Sequence, residues 1–259
     1  IMGAPEKDFD TTSNNKYIAG FSKREEVYPL RLVRPEENPE DVYNDIINNG
    51  YYGFKPYLNY VDKKSKNDIE IMDMMPPEIM EIANETGRIL MLHIPRPLRL
   101  ADPLNQEQIL KYAAKYPNVK IVLAHVGRAF YMKSIINQLD RISTFPNIYF
   151  DISAVSHWEV LEYLFAHFDR SRLMYGTDTP IGLMGLSSVE LNSQYTYISS
   201  KPWPLSISDD HQKLNFTCFA YEMIRAVKKA VIRVGLNESF IEDLYFRNGK
   251  RLLDSLGVR

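Results

Sequence analysis

Residues 119–125 read VKIVLAH and residues 88–94 read RILMLHI. Each run is apolar on both faces and too short for a packed helix. That is the pattern of a strand in a parallel sheet covered by helices on its faces. Four similar runs flank them: YPLRLV at 28–33, GFKPY at 53–57, IYFDI at 148–152 and RLMYG at 172–176. Amphipathic stretches at 39–49, 76–86, 105–115, 133–143 and 158–168 fill the intervals; Gly50 is a stop signal for the first, and the second has Pro at its start and Gly87 at its end. Strand and helix thus alternate at roughly 25–35 residues, the signature of parallel βα units.

Two architectures share this alternation. An open doubly wound sheet usually carries a Gly-rich phosphate loop after its first strand. No GxGxxG and no GxxxxGK[ST] occurs here. A polar residue stands at the end of nearly every strand, which favours the closed barrel. Beyond the last strand, residues 181–212 are rich in Ser and Pro and weakly periodic. A stretch that long is expected to be an active-site loop or lid. Helical segments are expected at 214–234, 239–244 and 248–256. The expected organisation is one domain over residues 1–259.

The bulk composition narrows the partners. The chain has 259 residues, 45% hydrophobic, with a formal net charge of -2. There is no excess of Lys and Arg to neutralise phosphates, so nucleic acid is not an expected partner. A single cysteine, Cys218, excludes an internal disulfide and fits a reducing, cytoplasmic setting. Neither a leader-like segment nor an apolar run of ~20 residues is present, so a membrane association is not expected.

In a parallel barrel, residues just past the strands converge on one face. His93, His125 and Asp178 occupy three such positions. Neutral imidazoles and a carboxylate are donors for zinc or manganese, and a bound ion lowers the pKa of its water to ~7. A strand-end His is also commonly a hydrogen-bonded structural residue, so spacing alone leaves both readings open. His157, His167 and His211 fall in helical or loop contexts and are left out of the site. Arg34, Lys55, Arg96 and Arg128 lie at the same face and are candidate anchors for an anionic substrate, with Tyr57 as a hydrogen-bond donor. Asp151 and Ser153 are candidates to orient a His.

The order GFKPY, RILMLHIPR, VLAHVGR, NIYFDISA and RLMYGTDTP resembles the amidohydrolase-related (amidohydrolase 2) branch of the amidohydrolase superfamily. This branch includes decarboxylases of the aminocarboxymuconate-semialdehyde type, lactonases and hydratases. The closing IEDLYFRNGKRLL resembles the family's last helix, with Asn248 at its usual place. The resemblance spans about residues 1 to 256. It implies an α/β fold, a (β/α)8 TIM barrel, whose first strand is missing from this chain. No HxH pair of that strand occurs anywhere in the sequence. The resemblance further implies that His93 and Asp178 are metal ligands, with two more His outside this chain. His125 and Asp178 would be the catalytic pair, and Lys55 a common site lysine.

The function expected on these grounds is a metal-dependent hydrolase of a small carboxylated or cyclic molecule. Non-oxidative decarboxylation and hydration fit the same constellation. A non-catalytic barrel binding a small acid is the alternative from another class. A homodimer is only what the family suggests.

Overall fold

The structure is a computed structural model that describes residues 1–62, 65–201, 206–211 and 213–258. Six strands form one wholly parallel sheet in chain order: β1 (Leu30–Val33), β2 (Gly53–Pro56), β3 (Ile89–Leu92), β4 (Lys120–Leu123), β5 (Ile148–Asp151) and β6 (Leu173–Met174). A parallel bridge from Met2 to Leu30 adds a further strand position beside β1. The α/β barrel class expected from the sequence is the class observed, with these positions present among the described residues. At the other edge, the backbone N–H of Tyr175 donates to Leu244 O (2.9 Å) in the closing helical segment.

The main helices are α1 (Thr11–Ala19), α2 (Pro39–Asn48), α3 (Pro77–Glu85), α4 (Pro103–Lys115), α5 (Trp158–His167), α6 (Phe219–Val234) and α7 (Asn248–Asp254). Their starts are local sequence effects. Asn38 and Asp102 accept from the first free N–H groups of α2 and α4, and Pro follows each cap. No described helix is long and apolar enough to cross a membrane.

Register sorts the strand residues by face. Phe54 pairs with Leu90, Leu90 with Ile121, and Leu123 with Phe150, which pairs with Leu173. These side chains are fully buried in the main core beneath the helices. Each such residue stabilises the fold by about 1.5–3 kcal/mol. The alternate row, Ile89, Met91, Val122, Tyr149 and Met174, forms a second cluster with Leu252, Leu253 and Leu256. Helix α7 therefore plugs the N-terminal end of the inner face. Its Asn248, buried at 3% exposure, donates to Arg170 O and Leu173 O at 2.8 Å each.

Two expectations are corrected. Residues 133–143 are not one helix. A short turn at Met132–Ser134 and a single helical turn at Asp140–Ser143 flank Asn137, whose φ of 61° lies in the left-handed region. Ile135, Leu139 and Ile142 are buried at helix-like spacing without a helix between them. Residues 181–212 are not an irregular loop throughout. They contain β7 (Leu186–Leu191), β8 (Gln194–Ser199) and β9 (Ser206–Ser208), a separate three-stranded sheet. Residues 202–205 and 212 of that stretch lie outside the described residues. Strands β7 and β8 form a hairpin closed by Asn192 and Ser193, both at positive φ (51° and 57°). That is the backbone a two-residue hairpin turn requires.

Candidate active site

The inner row continues past the strand ends. Lys55 and Tyr57 follow Gly53; His93 follows Met91; Asp151 and Ser153 follow Tyr149; Asp178 follows Met174 and Gly176. Alternation accounts for Lys55 and Asp151, which lie on the strands; Tyr57, His93, Ser153 and Asp178 come one to four residues past the strand ends, which puts them at the C-terminal mouth of the sheet. Backbone strain concentrates there too. Of the eleven non-glycine residues at positive φ among those described, seven lie past strand ends: Arg96, Arg99, His125, Val126, Arg128, Ala154 and Asp178. His125 through Arg128 form a left-handed turn, with Gly127 at 61°. Such a turn costs about 1–2 kcal/mol for each residue bearing a Cβ.

His125 is held in one tautomer. Its Nδ1 lies 3.0 Å from Ser153 O and 2.9 Å from Ser153 Oγ. A carbonyl only accepts, so Nδ1 carries the proton and Nε2 presents a lone pair. Ser153 is fixed in turn. Its N–H donates to Asp151 Oδ1 (2.8 Å) and its hydroxyl to Asp151 Oδ2 (2.6 Å). Gly176 makes room for this relay, because a Cβ there would stand 2.8 Å from Asp151 Oδ1.

His93 sits between Tyr57 and His125, with ring centroids 5.0 and 5.4 Å away. Its Nδ1 is buried without a hydrogen-bond partner. Burial, then the charge of Arg128, holds its pKa well below the usual 6.5, so the ring stays neutral. Lys55 is 3% exposed. Burial pushes its pKa down to about 8, against the pull of Asp178 and Asp151. Burial raises the Tyr57 phenol, and the Asp178 charge adds to it.

Above the mouth lies an aromatic wall. Phe130 stacks on His125 at 6.0 Å and on Tyr195 at 4.6 Å, and Tyr195 meets Tyr197 at 5.0 Å. The charge of Asp178 is felt by Lys55, Tyr57, Tyr195 and Tyr197, in each case as a smaller influence than burial.

The sequence-predicted residues divide accordingly. Lys55, Tyr57, His93, His125, Arg128 and Asp178 converge. Arg34 and Arg96 are engaged with neighbouring acids. Arg34 Nε donates to Glu36 (2.7 Å), with its guanidinium over the Tyr60 ring. Arg96 Nε donates to Asp102 (2.9 Å). Sequence reading missed Arg99, Phe130, Tyr195 and Tyr197. The alternation in QYTYIS after Asn192-Ser193 was the available signal for the last two.

The donors present suit a divalent cation in kind: a neutral imidazole with an orphaned nitrogen, a second imidazole lone pair and a carboxylate. They do not suit it in number. Among the described residues no three His, Cys, Asp or Glu side chains stand together as a metal cluster.

The model of the amidohydrolase 2 family, described as Amidohydrolase, matches residues 6–222. No curated protein sequence matches the chain. Solved structures do. The 5-carboxyvanillate decarboxylase of Sphingomonas paucimobilis is 14% identical with a TM-score of 0.57, covering 97% of this chain and 76% of that one. The 2,6-dihydroxybenzoate decarboxylase from Rhizobium is 12% identical with a TM-score of 0.55, covering 98% and 81%. A dihydroxybenzoic acid decarboxylase from a Polaromonas species, solved with manganese and 2-nitroresorcinol, is 14% identical with a TM-score of 0.54, covering 97% and 79%. At such identities the likeness carries the fold alone.

Proposed function

Because the chain belongs to the amidohydrolase family, we propose that its pocket takes a small planar carboxylic acid, and that the reaction is non-oxidative decarboxylation. The observation that carries this reading is a buried Lys55 that feels the charge of Asp178 and lies 5.7 Å from the Tyr57 ring, which in turn meets His93, with the stacked rings of Phe130 and Tyr195 nearby. With a pKa of about 8, Lys55 is still mostly an ammonium at neutral pH and pairs with the substrate carboxylate. The rings of Tyr57, His93, Phe130 and Tyr195 sandwich a flat substrate and exclude water. Asp178, a carboxylate at rest, relays a proton from bulk solvent to the ring carbon that bears the carboxylate, and is a carboxylate again at the end of the step. As the carbon–carbon bond breaks, its electron pair stays with the ring and carbon dioxide leaves. The decarboxylase activities of similarly folded proteins support this choice.

Hydrolysis is the second reading. It is favoured by one observation, the free Nε2 of His125 facing away from Ser153, which can take a proton from water. A metal, manganese as in the Polaromonas protein or zinc, held at His93 and Asp178 would need further donors from outside the described residues. No step above is routed through it.

The test incubates the intact protein with carboxyl-13C-labelled hydroxybenzoates and with lactones in 18O water, beside Asp178→Asn. Labelled carbon dioxide, lost in the variant, supports decarboxylation. 18O entering an acid product without carbon dioxide supports hydrolysis instead. Neither product, in protein reconstituted with zinc and with manganese, would sink the enzymatic reading. Metal content beside a His93→Ala control then tests the ion: with too few donors together among the described residues, well under one equivalent is expected, and about one equivalent lost in the variant would show that further donors complete the site.

A further inference from the structure

Lys55 is the one buried lysine among the described residues, and no acid pairs with it there. Paired lysines in this structure lie at the surface. Lys7 meets Asp62 (3.3 Å), Lys115 meets Glu81 (2.9 Å) and Lys250 meets Asp254, each with about half of its side chain exposed. Lys55 is 3% exposed, and its Nζ stands 5.7 Å from the centre of the Tyr57 ring. Among the described residues it makes neither an ion pair nor a hydrogen bond. It is held by β2, in register with Leu32 of β1 and between buried Phe54 and Pro56, so a strand and not a loop fixes its place.

A buried amine without a counter-charge is driven towards its neutral form, which carries a lone pair. With its pKa pushed down to about 8, about a tenth of Lys55 is free amine at pH 7. For an ordinary lysine the share is on the order of one part in a few thousand. The groups that imine chemistry needs stand at the same mouth. Burial keeps the Tyr57 phenol protonated, so it is a proton donor. His125 presents a lone pair at Nε2. Arg128, whose charge reaches Tyr57 and His93, has its Nε buried without a partner, which favours an anionic carbonyl compound.

We propose that Lys55 is also a nucleophile, that its amine forms an imine with the keto group of a small 3-oxo acid, and that this imine drives loss of the carboxylate as carbon dioxide. This activity goes beyond the ring-acid reading and does not depend on it. The nitrogen lone pair adds to the carbonyl carbon while Tyr57 donates a proton to the oxygen. His125 Nε2 takes a proton from the nitrogen and returns it to the new hydroxyl, which leaves as water. Tyr57 recovers its proton from solvent. The protonated imine then accepts the electron pair of the breaking carbon–carbon bond, giving carbon dioxide and an enamine. Protonation of the enamine carbon and addition of water release the ketone and restore the amine.

The test incubates the intact protein with acetoacetate, reduces it with sodium borohydride, and reads its peptides by mass spectrometry. Borohydride fixes an imine as a stable amine. The Lys55 peptide is expected to gain the mass of an isopropyl group, at least about tenfold faster at pH 7 than any exposed lysine, with carbon dioxide released. Lys55→Arg, which keeps the charge and offers no amine, is expected to lose both signals, and Tyr57→Phe to slow the labelling. No adduct at Lys55, labelling no faster there than at exposed lysines, or carbon dioxide release that survives Lys55→Arg would overturn the proposal. Hydroxybenzoates decarboxylated without any Lys55 adduct would overturn it and leave the ring-acid reading standing. An adduct at Lys55 without turnover of any ring acid would support it and sink that reading alone.

Discussion

Replacing Lys55 by Met tests the electrostatics of the pocket without reference to any substrate. The side chain is 3% exposed, and its pKa is pushed from 10.5 to about 8. At ~1.4 kcal/mol for each tenfold change, the folded protein bears about 3 kcal/mol to keep that ammonium charged. The sign follows from proton binding. Below pH 8 the group is charged both folded and unfolded, so the cost is fully present. Between about 8 and 10.5 the unfolded chain holds a proton that the folded chain lacks, so stability rises with pH. Methionine keeps the length of the stem and removes the charge. Lys55→Met should therefore be the more stable protein by about 3 kcal/mol at pH 7, shrinking to about 1 kcal/mol at pH 10, while losing its activity. Urea unfolding of chelator-treated wild type and variant at both pH values measures this. Other groups titrating in that range cancel in the difference. A difference that is flat with pH, or a variant less stable at pH 7, would refute the reasoning.

Three further outcomes follow from the same geometry. His93 should remain a neutral imidazole at pH 6, because burial and Arg128 hold its pKa well below 6.5. Nitrogen-15 NMR of the ring reads this directly, and an imidazolium pattern there would contradict it. Gly176→Ala should displace Asp151 and disturb the Ser153–His125 relay, lowering kcat by about 10- to 100-fold with KM little changed. Wild-type kcat in that variant would show that the relay is not needed. Asn248→Ala should cost about 2–3 kcal/mol by leaving Arg170 O and Leu173 O unpaired, as read by thermal or urea unfolding. A loss under 0.5 kcal/mol would mean that water satisfies those carbonyls.

Much of the frame was legible in the chain. RILMLHI and VKIVLAH read as covered parallel strands, and β3 and β4 lie within them. The periodicity that buries Leu90 and Ile121 also sends His93 to the inner mouth, so the strand ends could be found by counting. What sequence reading missed depends on tertiary partners. The stretch 133–143 has helical spacing, but Asn137 takes a left-handed backbone and its buried neighbours are satisfied without a helix. The turn at His125–Arg128 offers only one glycine for four left-handed residues, so nothing local announces it. Arg34 and Arg96 were plausible anchors by position, and Glu36 and Asp102 engage them. Arg99 escaped notice because its neighbours are the rings of Phe130, Tyr131 and Tyr195, which come from distant parts of the chain. The hairpin hid behind its Ser and Pro content, although Tyr195 and Tyr197 alternate as a strand requires.

Tyr195 and Tyr197 reach the pocket because they stand two residues apart on β8, opposite Glu190 and Ser188 in register. Ring placement is thus a matter of parity. One residue inserted between Ser193 and Tyr195 would send both rings to the opposite face of the hairpin, while two would return them to the pocket side. Relatives of this chain that differ by a single-residue gap at this point should therefore differ in what they accept, even when every strand-end residue of the barrel is identical. A length polymorphism at the hairpin tip becomes a heritable switch between two pockets.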